Sequence, residues 1–367
     1  MISHFVYKYL PLSERFIYNQ IRYIKKFKTS VITTDVINDK FPFDEIHSLS
    51  SMKFPFNSLE TLRFKITGNS NFFENALSDT SLIHAHFGNS SLKILKIAKK
   101  RNIPLVTSFY GNDATKYPKT NPGVYKELFS YSKAFLVPSF SLKGDIEKLD
   151  CPSDRIKVLR LGVDVNFFRF KKREHKEKAR FLSVARFVEK KGLTYLITAF
   201  SNLLEDGYDA ELVLCGNGPL KGRLASHARN LGIKGKVTFI DNFSSENPRK
   251  VVLEEMYKSD VMITPSVTSS DGDKESLNLV NLEAASTGMP VISTFHNGIP
   301  EVVENGKTGI LVSEKSHSEL YEKMKLFMEN PKYFMKLGKN GAQKVRKEFT
   351  IGKQNKELEK VYNVFAN

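Results

Sequence analysis

The sequence has little cysteine, no long apolar run and no recognisable leader. Its two cysteines, Cys151 and Cys215, lie far apart and match no metal-ligand spacing, so free and mostly buried thiols are expected. No stretch approaches the roughly 18 apolar residues that a membrane-spanning helix needs. The first residues also lack the basic and apolar regions of a signal peptide. These absences together predict a cytoplasmic protein.

Positive charge is what the sequence has in excess. The formal net charge is +16, divided into +9 on residues 1–165 and +7 on the remainder. Because no basic block of the kind found in nucleic-acid-binding arms is present, we expect no nucleic-acid partner. A diffuse positive field suits nucleoside diphosphates and anionic lipid head groups, including a membrane surface. A solvated, lysine-rich surface explains the same charge equally well.

Short apolar runs alternate with helix-length amphipathic segments along the 367 residues. This alternation predicts parallel sheets covered by helices on both faces, and the length predicts two domains. We expect two Rossmann-like, doubly wound domains at 1–165 and 166–345, facing a central cleft. A charge-dense linker is predicted at 169–180. Helix 346–367 would either close the second domain or cross back onto the first. The predicted strands are 30–34, 82–87, 104–109, 134–139, 157–164, 179–185, 210–216, 236–241, 261–266 and 289–295.

The most informative stretch contains two glutamates, Glu275 and Glu283, separated by seven residues. If a helix begins near Asn278, Glu283 lies within it and Glu275 lies in the preceding loop. The amides around Asn278 and Leu279 would then form an anion site at the helix start. Two carboxylates beside such a site could address both ends of a nucleotide-sugar. A surface helix with two solvated glutamates explains the spacing taken alone.

Two upstream segments add cations and a tight turn. Arg186 follows a predicted strand and Lys191 precedes a predicted helix, so the pair could neutralise a leaving diphosphate in place of Mg²⁺. Gly216 and Gly218 form a turn in which the backbone can approach a ligand closely. In isolation, the pair is explained by two surface cations, and a turn of this kind is structural about as often as it is functional.

In this order the motifs resemble the donor domain of the large retaining glycosyltransferase family that has the GT-B fold and an E-x7-E motif. The first half is also similar to this family, especially to members that build capsule, colanic-acid-like and other exopolysaccharides. The donor-side motifs are Arg186…Lys191-Gly192, Gly216-Asn217-Gly218-Pro219, Glu275-x7-Glu283 and Gly298-Ile299-Pro300-Glu301. The first-half motifs are 9–21, His84-Ala85-His86-Phe87-Gly88 and Phe109-Tyr110-Gly111-Asn112-Asp113.

The resemblance implies a role for each matching position. Arg186 and Lys191 would hold the donor diphosphate, and Glu283 would bind the ribose hydroxyls. Glu275, with the amides of Asn278 and Leu279, would hold the transferred sugar and the phosphate. The turn glycines would line the donor. The remaining implied positions are Tyr110 as a catalytic residue and Ser13, Glu14, His86 and Asp113 on the acceptor side.

The sequence departs from the family pattern at two positions. Relatives usually have glycine where this chain has Ala185, which is a small change. The first-half loop commonly reads F-H-G-x-D, and here Tyr110 stands in place of the histidine. A phenol can donate a hydrogen bond to a sugar or phosphate oxygen, but it lacks the basicity of imidazole near neutral pH. The histidine is therefore a positioning group in the family, or the activity of this chain is altered.

No metal site and no cofactor are expected. Asp271 and Asp273 form an Asp-x-Asp pair that could hold Mg²⁺, but they lie late in the chain, in a loop that leads into Glu275. His84 and His86 share one side of a strand without a cysteine or carboxylate to complete a ligand set. We expect His84 to be structural and His86 to face the acceptor.

The sequence thus predicts a metal-independent transfer of a hexose-type sugar, with retention, from a UDP- or GDP-sugar to a glycan or lipid-linked glycan. The enzyme would act in surface polysaccharide biosynthesis, at or near the inner face of a membrane. Two alternatives stay open. One is a sugar-nucleotide epimerase or phosphorylase on the same fold, and the other is a catalytically silent nucleotide-sugar-binding partner.

Overall fold

The chain forms two compact units, and the computed structural model describes residues 1–174 and 178–366. The first unit contains Met1–Gly162 and the segment from Ile351 onward, and the second contains Val163–Thr350. Each unit is built on a parallel sheet with helices packed against it. This arrangement confirms the predicted α/β architecture of two Rossmann-like domains.

The first unit contains a seven-stranded parallel sheet in the order β5-β3-β1-β6-β7-β8-β9 and a small two-stranded parallel sheet of β2 and β4. Its strands are β1 (Ile2–Phe5), β2 (Lys8–Tyr9), β3 (Thr29–Thr33), β4 (Asp35–Val36), β5 (Ile46–Ser48), β6 (Leu82–His86), β7 (Leu105–Ser108), β8 (Ala134–Val137) and β9 (Ile156–Val158). The strand order reverses between β1 and β6, so residues of these two strands lie side by side at the centre of the sheet.

Alternation along the central strands gives the two faces of this sheet different coverings. Ile83 and Ala85 of β6 face an apolar core that also contains Ile94 and Ile97 of α4. Leu82 faces the other side. The helices of the first unit up to residue 162 are α1 (Arg15–Arg22), α2 (Phe56–Thr67), α3 (Asn71–Ala76), α4 (Gly88–Lys100), α5 (Lys116–Thr120), α6 (Lys126–Tyr131) and α7 (Phe140–Glu147).

The second unit contains a six-stranded parallel sheet in the order β12-β11-β10-β13-β14-β15. Its strands are β10 (Ala179–Val184), β11 (Ala210–Cys215), β12 (Val237–Ile240), β13 (Val261–Thr264), β14 (Val291–Thr294) and β15 (Ile310–Val312). The chain first adds strands on one side of β10 and then on the other. The order therefore reverses between β10 and β13, which is where open sheets of this kind bind ligands.

The helices of the second unit have the apolar spacing of amphipathic helices. In α8, Leu196, Ile197, Phe200 and Leu203 are buried at intervals of one to three residues along one face, and they join the core that contains Phe181 of β10. The helices are α8 (Leu193–Glu205), α9 (Lys221–Asn230), α10 (Pro248–Lys258), α11 (Leu279–Ser286), α12 (Ile299–Val302), α13 (His317–Glu329) and α14 (Pro331–Glu348).

The last helix, α15 (Ile351–Phe365), belongs to the first unit. Leu358 and Tyr362 pack on the face of the sheet that carries Leu82. A carboxylate oxygen of Glu359 accepts hydrogen bonds from the backbone N–H groups of Lys25 and Lys26, at 2.6 and 3.0 Å. Apolar packing and a buried carboxylate thus anchor α15 beyond the end of α1.

The structure corrects several predicted boundaries. The chain passes between the units at 162–163 and 350–351. Within the predicted linker 169–180, residues 175–177 lie outside the described residues. Arg173 of that stretch donates to the carbonyls of Met256 and Ser259, so it packs within the second unit. The strand predicted at 157–164 is shorter and ends at Val158. Nothing in the described ranges is a helix of the length and apolarity required to cross a bilayer.

Candidate functional site

The donor-side residues of the second unit meet at one edge of its sheet. Arg186 lies two residues after β10, Gly216 directly follows β11, Glu275 lies in the loop after β13, and His296 lies two residues after β14. Since all these strands are parallel, their carboxyl ends share one edge. Arg186 and Glu275 flank the reversal of strand order, so the topology itself brings the predicted residues together.

The Glu275 carboxylate is held by two lysines. Its Oε2 lies 2.9 Å from Lys191 Nζ, and its Oε1 lies 3.4 Å from Lys190 Nζ, with all three side chains largely buried. Lys190 also lies 3.1 Å from Asp273. Burial alone would raise the pKa of Glu275, but the two ammonium groups outweigh it and lower the pKa to about 2. Glu275 is therefore an anion with a fixed orientation.

The backbone of Glu275 is fixed as well. His296 Nε2 accepts a hydrogen bond from the Glu275 N–H at 3.0 Å, and the Asn297 side chain donates to the Glu275 carbonyl. His296 Nδ1 lies 2.7 Å from Glu314, which also accepts from the Thr268 N–H. Nothing in the sequence motifs had pointed to four of these residues, namely Lys190, His296, Asn297 and Glu314. The only signal available for His296 and Asn297 was their place directly before the Gly298-Ile299-Pro300-Glu301 motif.

The two cations predicted to hold a diphosphate have different environments. Lys191 faces Glu275, and burial lowers the pKa of Lys191 while Glu275 opposes that shift. Arg186 is exposed, and within residues 1–174 and 178–366 no side chain pairs with its guanidinium. Lys191 is thus mainly the counter-ion of Glu275. Arg186 is the cation that is available to an anionic ligand.

The glycine turn after β11 packs directly against the segment that carries Arg186. A Cβ on Gly216 would lie 1.8 Å from the Ala185 carbonyl oxygen, and one on Gly218 would lie 2.7 Å from the Phe187 nitrogen. Phe187 N–H also donates to the Asn217 carbonyl at 2.9 Å. We predicted that these glycines let the backbone approach a ligand. In the structure, the absence of a Cβ at both glycines allows this turn to pack against the backbone of the loop that carries Arg186.

The start of α11 has the arrangement that the glutamate spacing predicted. Asn278 precedes the helix with a φ of +56°, and its side chain donates to Ser266 Oγ instead of capping the helix. The first amides of α11, beginning with Leu279, therefore keep the partial positive charge of a helix start. Glu283 lies within α11 and is partly buried.

In the first unit, Tyr110 lies among side chains from two other segments of the chain. Its hydroxyl is 2.7 Å from His86 Nδ1, and its ring lies 4.8 Å from Phe16 and 4.9 Å from Phe87 between centroids. Ser13 and Glu14 belong to the short turn before α1, and the charge of Glu14 contributes to raising the pKa of Tyr110, an effect mainly due to burial. The opening segment thus packs against the later loop through Phe16 and Tyr110.

Two residues predicted to contact an acceptor are buried instead. His86 is fully buried. The Asp113 carboxylate accepts hydrogen bonds from the N–H groups of Gly88, Tyr110 and Gly111, at 2.8, 3.1 and 2.9 Å. Burial raises the pKa of Asp113, and these N–H groups partly offset that shift. Their geometry corrects the prediction, since His86 and Asp113 hold Tyr110 and its loop and offer no surface to an acceptor.

A third histidine, missed in the sequence, joins the pair on β6. His4 of β1 lies in register with His84, and the ring nitrogens of His4, His84 and His86 approach within 4.8 Å of one another. This is a possible metal-ligand set. Hydrogen bonds to Tyr110, Tyr362, Ser108 and between His4 and His86 already occupy five of the six ring nitrogens. The arrangement is that of a hydrogen-bonded core network.

Comparison with known proteins identifies the class. Residues 13–167 match the family model Glycosyltransferase Family 4, and residues 164–344 match the model Glycosyl transferases group 1. A putative colanic acid biosynthesis glycosyltransferase of Escherichia coli, WcaL, is 33% identical over 75% of this chain and 68% of its own length. The chain therefore belongs to the glycosyltransferase family that these two models and WcaL represent.

A second relative and a solved structure indicate the kind of glycosyltransferase and the fold. The amylovoran biosynthesis glycosyltransferase AmsK of Erwinia amylovora is 30% identical over 65% of this chain, and the match covers 58% of AmsK. The crystal structure of HepE from Anabaena in complex with UDP has a TM-score of 0.79 at 15% identity and covers 99% of each chain. The chain is therefore homologous to exopolysaccharide biosynthesis glycosyltransferases and has the GT-B fold.

Proposed function

We propose that this chain transfers a hexose from a UDP- or GDP-sugar to a glycan or lipid-linked glycan, with retention of anomeric configuration, in surface polysaccharide biosynthesis. The observation that carries the proposal is the edge of the second sheet. There Arg186, which has no ion-pair partner among the described residues, shares one edge of the sheet with the start of α11 and with the loop of Glu275, an anion held by Lys190 and Lys191. A nucleotide-sugar suits a site that has a cation and an anion, because its diphosphate is negative and its anomeric carbon becomes positive during the reaction.

In the proposed reaction the bond between the anomeric carbon and the diphosphate oxygen breaks, and the acceptor oxygen bonds to that carbon on the same face. The proton of the acceptor hydroxyl passes to the departing phosphate oxygen. Arg186 and the amides of α11 stabilise the negative charge on the diphosphate, so a metal ion is not needed. Glu275 orients the sugar and offsets its oxocarbenium-like positive charge, while Glu283 binds the ribose.

Several independent findings support this proposal. HepE, which shares the fold, was solved in complex with UDP and with UDP-glucose. WcaL and AmsK are described as glycosyltransferases of colanic acid and amylovoran biosynthesis. Tyr110 of the first unit is only partly buried, and we assign it to the acceptor side. A cytoplasmic location at the inner face of a membrane is part of the proposal, because lipid-linked intermediates would be reached there.

A screen of nucleotide-sugars tests the proposal. At least one UDP- or GDP-sugar should raise the melting temperature, and the same donor should be consumed faster when an oligosaccharide acceptor is added. The rate should be unchanged by a chelator of divalent metals. Acceptor-independent release of an altered sugar would favour an epimerase, and binding without any turnover would favour a silent partner. If no nucleotide-sugar changes the melting temperature, the proposal is wrong.

Arg186→Ala tests the donor-binding part. Because an arginine that binds a charged group contributes about 1.5–3 kcal/mol, we expect UDP to bind roughly 10- to 150-fold more weakly. The melting temperature without ligand should stay the same, since no side chain in the described ranges pairs with Arg186. Arg229→Ala, an exposed arginine in the last turn of α9, is the matched control and should leave UDP affinity unchanged. Equal affinities of the two variants in calorimetric titration would refute the assigned role.

A further inference from the structure

Five large apolar side chains are exposed on and just before one helix of the first unit. They are 55% to 81% exposed and are Phe54, Phe56, Leu59, Leu62 and Ile66. Single exposed apolar residues are ordinary on protein surfaces, but a continuous group on one helix marks an interaction site.

The geometry of α2 turns this group away from the core. Phe64 is the one buried residue of α2, and its ring packs against Phe5 and Phe73, with centroids 6.3 and 4.9 Å apart. At about 100° per residue, Leu62 and Ile66 lie about 160° around the helix from Phe64. The helix is therefore held to its unit by one face and presents the opposite, apolar face outward. We call this face the α2 apolar face, comprising Phe54, Phe56, Leu59, Leu62 and Ile66.

Positive charge borders the α2 apolar face. Lys53, Arg63 and Lys65 are exposed. Glu60 is the only acidic residue between Lys53 and Thr67. Its Oε1 accepts hydrogen bonds from Ser70 Oγ and the Phe72 N–H, and its Oε2 lies 3.7 Å from Arg63. In helical projection, Arg63 lies on one side of Leu59, Leu62 and Ile66, and Lys65 lies on the other. Helix α4 adds Lys96, which donates to the Thr67 carbonyl at 2.8 Å.

We propose that the α2 apolar face docks on a bilayer that contains anionic lipid. Its apolar side chains would enter the boundary between head groups and acyl chains, and Lys53, Arg63, Lys65 and Lys96 would contact the lipid phosphates. An apolar stripe flanked by cations is typical of helices that lie in a membrane interface. Lysine is depleted at protein–protein interfaces relative to the rest of the surface, so three lysines among the four bordering cations favour lipid over a protein partner. The inference deepens the proposed function and rests on it, because docking would bring the first unit to a lipid-linked acceptor.

Vesicle flotation of the full-length chain tests the docking. The vesicles are phosphatidylcholine alone or with about one third phosphatidylglycerol. The wild-type chain should float with the anionic vesicles. The triple variant Leu59→Gln, Leu62→Gln, Ile66→Gln should bind the same vesicles at least about tenfold more weakly. Glutamine retains helix propensity, so the thermal melt of this variant should match that of the wild type. Val364→Gln is the matched control, because Val364 is 68% exposed on α15 of the same unit, and it should leave flotation unchanged.

Other outcomes would overturn the docking proposal. These are no flotation of the wild-type chain, equal flotation of the triple variant, and a wild-type dimer in sedimentation that the triple substitution dissociates. The last result would assign the α2 apolar face to a second copy of the chain. UDP binding distinguishes this failure from failure of the proposed function, since the triple variant should bind UDP as the wild type does whatever the vesicles show.

Discussion

Replacing Glu275 by glutamine should lower the rate of sugar transfer by about 100- to 1000-fold, the range found when a preorganised electrostatic contact is removed from an active site. Glutamine keeps the size of the side chain and loses its charge. The variant would therefore lack the anion that offsets positive charge on the sugar. Lys190 and Lys191 would lose their shared counter-ion, so the affinity for UDP should stay the same or increase. Steady-state rates measured beside UDP titrations separate the two effects.

The control for Glu275→Gln is Asp273→Asn. Asp273 lies 3.1 Å from Lys190, so its removal disturbs the same lysines without touching the proposed sugar contact. The asparagine variant should retain most of the activity. A comparable loss in both variants would mean that Glu275 acts only by holding the lysines.

A second readout for Glu275→Gln is the stability of the fold in acid. Because the folded pKa of Glu275 is lowered to about 2, its contribution is present above pH about 4.5 and is lost as the pH falls toward 2. The glutamine variant should lack this loss.

The donor side of the site was largely predictable because its residues follow strands. Apolar runs located β10, β11, β13 and β14, and parallel pairing then places Arg186, Gly216 and the loop of Glu275 at one edge. Which cation faces which anion could not be predicted. Lys190 and Lys191 are adjacent in sequence, and only the folded loop directs both toward Glu275.

The first unit was less predictable because its centre depends on distant pairing. β1 is only four residues long, and two of its residues, Ser3 and His4, are polar, so it does not have the appearance of a buried strand. Its pairing with β6, which lies 80 residues further along the chain, places His4 beside His84. Tyr362 reaches the same place from the opposite end of the chain. Such contacts arise from the topology of the sheet, and no local pattern of residues indicates them.

The buried histidines of the first unit should make the fold sensitive to mild acid. Burial lowers the pKa of His4, His84 and His86, to about 3 for His84, so all three are neutral in the folded chain at pH 6. The unfolded chain binds these protons near pH 6.5. Their contribution to stability is therefore present above pH 6.5 and is lost as the pH falls below it. Well below pH 6.5, where the unfolded chain binds all three protons, this corresponds to about 4 kcal/mol of unfolding free energy for each pH unit.

Urea unfolding between pH 7 and pH 5 measures this slope, and His4→Gln shows which groups cause it. Nε2 of His4 is buried without a partner among the described residues, so this ring is the histidine of the cluster with the fewest hydrogen bonds to lose. The glutamine variant should lower the slope by about one proton, or about 1.4 kcal/mol per pH unit. His317→Gln, at an exposed position, should leave the slope unchanged. A wild-type chain whose stability is flat over this range would mean that the folded cluster binds protons as readily as the unfolded chain, which full burial without an acidic hydrogen-bond partner does not allow.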